Sequence, residues 1–206
     1  MGPLGNGFSV PENKKMTLLV GGGMGTGPLQ QMARQLTVEH SQMNVLALVG
    51  AKTIDGVPFD TKLDTISNEV GFSVREFAQF GIESMLATDD GSAGYSGPVT
   101  ECLEKWLDKT DLDMGEIIIY SCGPDAMLAR MAQIAGERNI DCQISTEQLM
   151  ACGIGLCQSC AVECKSETGG ESVYKLCCKD GPVFDSKEVI FKPKVNSIKP
   201  ENKTSQ

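Results

Sequence analysis

The sequence predicts an α/β fold: a doubly wound parallel sheet followed by a small C-terminal cysteine-rich domain. Three observations predict it. Short apolar runs alternate with segments of helical periodicity up to about residue 147. Three Gly-rich or Gly-Pro turns follow Val20, Ala87 and Tyr120, at the C-terminal ends of expected strands, where open α/β sheets bind ligands. From residue 148 the texture changes to cysteine, glycine and short polar runs, which places a domain boundary near Glu147.

The elements follow in order. Met16–Val20 is a short apolar run that ends in Gly21-Gly-Gly-Met-Gly-Thr-Gly27-Pro28. Leu29, Met32, Ala33 and Leu36 then recur at i, i+3, i+4, i+7, the spacing of an amphipathic helix. Pro28 suits its first turn, where a missing N–H costs nothing. Val45–Val49 reads as a second buried strand. Lys52–Gly71 has no clear periodicity and reads as a long loop. Ser73-Val-Arg-Glu76 has the form of a capping box opening a helix through Phe77 and Phe80. Ser84–Ala87 is a third strand, ending in Thr88-Asp-Asp-Gly91. Val99, Leu103, Trp106 and Leu107 mark the next helix. Ile117–Tyr120, the most β-prone run, ends at Ser121-Cys-Gly-Pro124. Met127, Met131, Ile134 and Ala135 mark a helix that closes near Asn139, and Cys142–Ser145 is the last strand of the series.

At 206 residues the chain can bury a sizeable core without a disulfide framework. Its formal charge of −9 lacks the basic stripe a nucleic-acid partner requires, and aromatics at 5 % give no base-stacking platform. No apolar run approaches the ~18 residues of a membrane span, and no secretory signal opens the sequence. The reading is cytoplasmic, so the cysteines are thiols or metal ligands. Residues 192–206, with four lysines and one glutamate among Pro, Asn and Ser, read as a disordered tail.

Backbone N–H groups at a helix N-terminus form an anion site, and glycines let a pyrophosphate approach them. The loop is out of register with G-x-G-x-x-G, because Thr26 stands where the third glycine would be. No acidic residue ends the Val45–Val49 strand; Ala51-Lys52 does. A tight structural turn is the plain alternative. Together with Thr88-Asp-Asp and Cys122-Gly-Pro124 at other strand ends, the loop is nonetheless read as a nucleotide site. Its candidate residues are Gly22, Gly23, Gly25, Thr26, Gly27, Pro28, Thr88, Asp89, Asp90, Cys122, Gly123, Pro124 and Met127. Gly25 is expected to be where the backbone meets the phosphates. Cys122 has no neighbouring base in the sequence, since His40 is the sole histidine, and no residue is assigned a catalytic acid–base or nucleophilic role.

Cys152-x4-Cys157-x2-Cys160, with a fourth thiol at Cys177 or Cys178, has plant-type [2Fe–2S] spacing. Gly153 and Gly155 leave backbone N–H groups free to face sulfur. Structural zinc is the competing reading, but it usually presents two separate Cys pairs and only one C-x2-C occurs here. Adjacent side chains of an extended segment point to opposite faces, so only one of Cys177 and Cys178 reaches the cluster. Cys164 is spare; Cys102 and Cys142 read as core.

The sequence resembles the electron-transfer subunits of type B dihydroorotate dehydrogenase, a branch of the ferredoxin reductase-like flavoproteins. Gly2-Pro-Leu-Gly-Asn-Gly-Phe8, Gly21–Leu29, Thr88-Asp-Asp-Gly-Ser92, Cys122-Gly-Pro124 with Met127, Met150-Ala-Cys-Gly-Ile-Gly155 and Cys178-Lys-Asp-Gly-Pro-Val-Phe184 carry the resemblance. It implies a ferredoxin reductase-type NAD-binding sheet over residues 16–147 and a [2Fe–2S] domain over 148–191. It implies Cys178 rather than Cys177 as the fourth ligand, beside Cys152, Cys157 and Cys160. The family begins with a β-barrel that holds FAD. Here residues 1–15 look like the junction after that barrel, and the Arg-x-Tyr-Ser type of flavin motif does not occur, so FAD is expected only where a barrel is supplied. The implied role is to pass electrons from an FMN-containing dihydroorotate dehydrogenase catalytic subunit, in a hetero-oligomer serving pyrimidine biosynthesis, through [2Fe–2S] and FAD to NAD. Two alternatives stand beside it: the reductase subunit of a hydrogenase or ferredoxin–nicotinamide transhydrogenase, and a non-catalytic iron–sulfur or zinc redox module.

Overall fold

The computed structural model describes residues 2, 4–66, 69–166 and 168–192. The elements run β1 (Met16–Gly22), α1 (Thr26–Glu39), β2 (Asn44–Ala51), β3 (Thr61–Ile66), β4 (Glu69–Val74), α2 (Arg75–Ala78), β5 (Glu83–Thr88), β6 (Tyr95–Ser96), α3 (Val99–Lys109), β7 (Ile117–Cys122), α4 (Asp125–Arg138), β8 (Asp141–Ser145), β9 (Ala161–Cys164), β10 (Val173–Leu176) and β11 (Val183–Asp185). Seven strands form one sheet in the order β11-β8-β7-β1-β2-β5-β6. Every pairing in it is parallel except that of β11 with β8.

Alternation along the central strands sends neighbouring side chains to opposite faces. Leu18, Leu46, Leu48, Ile117 and Ile119 pack with Val99, Leu103 and Leu107 of α3 and Leu128, Met131 and Ile134 of α4. Leu19, Ala47, Val49, Ile118 and Tyr120 pack with Leu29, Met32, Ala33 and Leu36 of α1 and Phe77 of α2. Strands covered on both faces explain the unbroken apolar runs of β1 and β7. Asn139 closes α4 in the left-handed conformation, with its N–H reaching the Ala135 and Gly136 carbonyls.

Two sequence expectations are corrected. Lys52–Gly71 is not a featureless loop: a 3-10 turn spans Ile54–Gly56, and β3 pairs antiparallel with β4 from Thr61↔Val74 to Ile66↔Glu69. A hairpin ladder is satisfied locally and leaves a weak apolar pattern. The capping box also fails. Ser73 lies inside β4, α2 is a single turn, and its N-cap is Val74 without a side-chain cap. The amides at its start are engaged elsewhere: Val74 N–H donates to Ser84 Oγ at 2.7 Å and Arg75 N–H to the Asp60 carbonyl at 3.0 Å. The tail, beyond Lys192, lies outside the described residues.

After β8 the chain makes the cysteine-bearing loop and the two-stranded β9–β10 ladder, and β11 then joins the edge of the main sheet. Cys160, Val162, Cys164, Cys177, Cys178 and Phe184 belong to the same apolar cluster as α3 and α4.

Candidate functional site

The glycine loop leaves β1, makes a 3-10 turn at Gly23–Gly25 and enters α1. Its glycines do different work. A Cβ on Gly25 would lie 2.5 Å from the Cys122 carbonyl oxygen, and one on Gly22 2.7 Å from Met127 Sδ. A Cβ on Gly123 would meet Met127 Cε at 2.7 Å. The loop and the Cys122–Pro124 turn are therefore packed backbone to backbone, with Met127 over the seam. Gly25 is buried and serves this packing, so the expectation that its open face meets phosphates does not fit the geometry. Gly23, at φ +54°, and Gly27 have nothing within 4 Å of a Cβ. These two faces are open. Thr26 between them is buried, and its Oγ1 has no hydrogen-bond partner among the described residues. An open glycine cradle at a helix N-terminus with an orphaned hydroxyl beside it fits an anionic group such as a pyrophosphate.

The other predicted nucleotide residues divide. Cys122 is buried, and burial pushes its thiol pKa up, which suits a packed thiol rather than a nucleophile. The Thr88–Asp90 turn is set apart from the glycine loop by β2, which runs between β1 and β5. It is joined to the end of β2 by Asp89 N–H to the Ala51 carbonyl (3.0 Å) and Asp90 N–H to the Lys52 carbonyl (3.2 Å). Thr88 is committed to its own loop: Oγ1 donates to the Ala93 carbonyl at 2.8 Å and accepts from Ala93 N–H at 3.0 Å. The Ser92 hydroxyl and N–H hold the Asp90 carboxyl below the usual carboxylate range. Gly22–Pro28, Cys122–Met127 and Thr88–Asp90 thus line one edge, the C-terminal ends of β1, β7 and β5. A hollow of about 1230 Å³ opens instead around the starts of β1, β2 and β5, and none of these edge residues lines it.

The four predicted cluster thiols fall into two pairs. Cys152 Sγ accepts from the Leu156 and Cys157 N–H groups, both at 3.4 Å, and the Cys157 amide holds its pKa down. The Ser159 hydroxyl, 3.1 Å from Cys157 Sγ, leads the causes that bring that exposed thiol down to about 6, with the Cys152 side chain also contributing. Cys160 Sγ accepts from Cys178 N–H at 3.4 Å, and its side chain pushes the Cys178 thiol up. Among the described residues no three such side chains gather around a single metal ion. Two thiols for each of two irons is what a [2Fe–2S] centre takes, and amides aimed at sulfur suit its negative charge.

Cys177 turns the other way. It is fully buried, its Sγ donates to the Thr146 carbonyl at 3.5 Å and lies 3.7 Å from Thr146 Oγ1. Gln158 adopts φ +60°, and Gly153 and Gly155 also have positive φ, so the loop turns at these three positions between its cysteines. Cys164, the last residue of β9, is buried in the core, as are Cys102 of α3 and Cys142 of β8.

Sequence reasoning missed the N-terminal clasp. Asn6 N–H donates to the Gly181 carbonyl (2.6 Å), and Asn6 Nδ2 to the Asp180 and Val183 carbonyls (both 3.0 Å). Ser9 is bonded to Gln143 through both backbone and side chain, Tyr120 OH donates to the Ser9 carbonyl at 2.7 Å, and Phe8 stacks edge-on against Tyr120. The turn that follows Cys178 is thereby tied to the start of the chain. Residue types alone carry no signal for such distant partners. Ser159 was also missed, although its place between Cys157 and Cys160 was visible.

Comparison with known proteins matches two parts of the chain. Residues 19–133 match the family model for the oxidoreductase NAD-binding domain. Residues 147–190 match the model for the iron–sulfur cluster binding domain of dihydroorotate dehydrogenase B. The chain is 37 % identical over 190 residues to the dihydroorotate dehydrogenase B (NAD(+)) electron transfer subunit of Caldanaerobacter subterraneus subsp. tengcongensis, covering 92 % of this chain and 65 % of that protein. It is 38 % identical over 194 residues to the protein of the same name from Geobacillus kaustophilus, covering 93 % and 64 %. It thus spans just under two thirds of these relatives' length. Among solved structures, that of an NADH-dependent reduced ferredoxin–NADP oxidoreductase, described for flavin-based electron bifurcation, aligns with a TM-score of 0.69 at 30 % identity, covering 93 % of this chain and 59 % of that one. The ferredoxin reductase in carbazole 1,9a-dioxygenase, with TM-score 0.50 and 21 % identity over 68 % of this chain and 39 % of that one, shares the fold.

Proposed function

We propose, from the premise that this chain belongs to the oxidoreductase NAD-binding domain family, that it is the electron-transfer component of a type B dihydroorotate dehydrogenase. In that role it passes electrons between a partner flavoenzyme and NAD, in pyrimidine biosynthesis. The observation that carries the reading is the pairing of Cys152 with Cys157 and of Cys160 with Cys178, in a chain that also holds the open glycine edge. Residues 16–147 form the nucleotide unit and 148–191 the cluster unit, with Asn6 and Ser9 of the preceding segment tying the two together. No helix among the described residues is long and apolar enough to cross a membrane; a cytoplasmic place is our reading, and it agrees with nine free thiols.

A [2Fe–2S] centre supplies one-electron transfer, and a flavin is what joins it to the two-electron chemistry of nicotinamide. Cys152, Cys157, Cys160 and Cys178 would hold the centre. Gly23, Thr26 and Gly27 would receive the pyrophosphate, with Cys122–Met127 on one side and Thr88–Asp90 on the other. The chain's residues bind, orient and tune. None is placed as an acid or base, and FAD is to be held where a barrel completes the site.

The partner is an FMN-containing dihydroorotate dehydrogenase catalytic subunit, in a hetero-oligomer. Co-expression with such a subunit, with FAD and the flavin barrel present, tests the proposal. The expected result is a stable complex that reduces NAD with dihydroorotate. A complex that forms only with a ferredoxin-dependent partner contradicts it. That outcome favours the second reading, a ferredoxin–nicotinamide reductase subunit, for which the TM-score of 0.69 is the supporting observation.

A further inference from the structure

Ser159 stands between two of the four thiols, and its side chain is in the wrong place to be a bystander. Its Oγ lies 3.1 Å from Cys157 Sγ. It accepts from Ala151 N–H at 3.2 Å and donates to the Leu149 carbonyl at 3.2 Å. Gln158, at φ +60°, turns the chain so that residue 159 comes back over residue 157. A residue with a Cβ is disfavoured in that left-handed conformation, so the fold maintains the approach against a local cost.

The hydroxyl has one proton and two acceptors within reach, the Leu149 carbonyl and the Cys157 sulfur. While Cys157 is a thiol, its own S–H can point at Ser159 Oγ and the hydroxyl is free to serve Leu149. An iron-bound Cys157 brings no proton. Its sulfur is then the charged acceptor of the two, and charge-assisted hydrogen bonds are the stronger ones.

We propose that Ser159 is a positioning residue whose hydroxyl donates a hydrogen bond to the sulfur of iron-bound Cys157 and thereby raises the reduction potential of the [2Fe–2S] centre. The inference rests on the reading of the four thiols as cluster ligands. Reduction adds one electron to the centre and no proton, so the reduced form is more negative by one unit. A donor at sulfur stabilises that form more than the oxidised one.

The test uses the 206-residue chain purified without oxygen. Iron, acid-labile sulfide and the EPR signal of the reduced protein are measured first; a wild-type protein lacking all three overturns the cluster reading, and this inference with it. Ser159→Ala and Ser159→Thr are then titrated potentiometrically. The expected result is a loaded alanine variant with a lower midpoint, its reduction equilibrium constant down roughly fivefold, the scale of one net hydrogen bond. The threonine variant, which keeps the hydroxyl, stays at the wild-type midpoint. A loaded alanine variant with an unchanged midpoint overturns the proposal. So does loss of iron from the alanine variant, with or without loss from threonine, because Ser159 would then be a tie to Leu149 and Ala151 that shapes the loop.

Discussion

Asn6 and Val183, 177 residues apart, exchange two hydrogen bonds: Asn6 Nδ2 donates to the Val183 carbonyl at 3.0 Å and Val183 N–H donates to Asn6 Oδ1 at 3.1 Å. The side-chain amide pairs with the first residue of β11 as a strand backbone would. It holds the turn between Cys178 and β11 against the start of the chain. Gly5 makes room for this, since a Cβ there would lie 2.4 Å from the Gly181 carbonyl oxygen.

Asn6→Ala removes both bonds, together with that from Nδ2 to the Asp180 carbonyl, and leaves Val183 N–H and its carbonyl without them. The expected cost is about 1–3 kcal/mol in urea denaturation, the range for part-buried groups left unpaired. Iron release to a chelator should quicken as well, because the loosened turn carries Cys178. Unchanged stability and unchanged release would make the clasp incidental.

The neighbouring thiols Cys177 and Cys178 should separate cleanly. Cys177 is packed on Thr146, and Cys178 lies with Cys160. Cys177→Ser is expected to keep iron and sulfide while losing some stability. Cys178→Ser is expected to lose most of both. Iron analysis of the two purified variants decides the matter, and the reverse pattern would show that the wrong neighbour was assigned.

The glycine loop offers a second pair of opposites. Gly27→Ala adds a methyl group to open space, at the modest cost of a Cβ before Pro28. It is expected to keep the melting temperature within a few degrees and weaken nicotinamide nucleotide binding about tenfold, roughly 1.4 kcal/mol. Gly25→Ala drives its Cβ into the Cys122 carbonyl and should instead destabilise the fold. Calorimetric affinity unchanged in Gly27→Ala would reduce the loop to a structural turn.

Much of this was legible in the sequence. The Cys152–Cys160 spacing could be read directly, and the strand ends expected at Val20, Ala87 and Tyr120 fall one or two residues further on, at Gly22, Thr88 and Cys122, because chain-local geometry fixes them that closely. The resemblance pointed to Cys178; strand alternation does not apply, because Cys177 and Cys178 lie in the turn that follows β10, which ends at Leu176. What could not be read depends on distant partners. Gly25 and Gly27 are both glycines in a loop, and only the position of Cys122 tells the packed one from the open one. β11 is three residues long and is a strand because β8 lies beside it. β3 and β4 make no face of the main sheet, so no apolar stripe announced them. Ser73 could not cap α2 because the backbone there already serves Ser84 and Asp60.

Acid should act through Asp141. Lys14, nearly fully buried, places its ammonium 2.7 Å from Asp141 Oδ2 and 2.7 Å from the Gly115 carbonyl. The Lys14 hydrogen bond holds the Asp141 carboxyl below its usual 3.8. A depressed folded pKa contributes stability that is present above the unfolded value and lost as pH falls through the folded one, so the loss belongs below about pH 4. Asp141→Asn is expected to flatten that acid limb and to cost about 1–2 kcal/mol at neutral pH, less than a buried pair because Asp141 is half exposed. An acid limb of unchanged slope in the variant would contradict the assignment.

The most direct test of the account is the metal content of the chain purified without oxygen. Two irons and two acid-labile sulfides per chain, with an EPR signal on chemical reduction, is the expected result for Cys152, Cys157, Cys160 and Cys178 acting together. One zinc per chain without sulfide would contradict it.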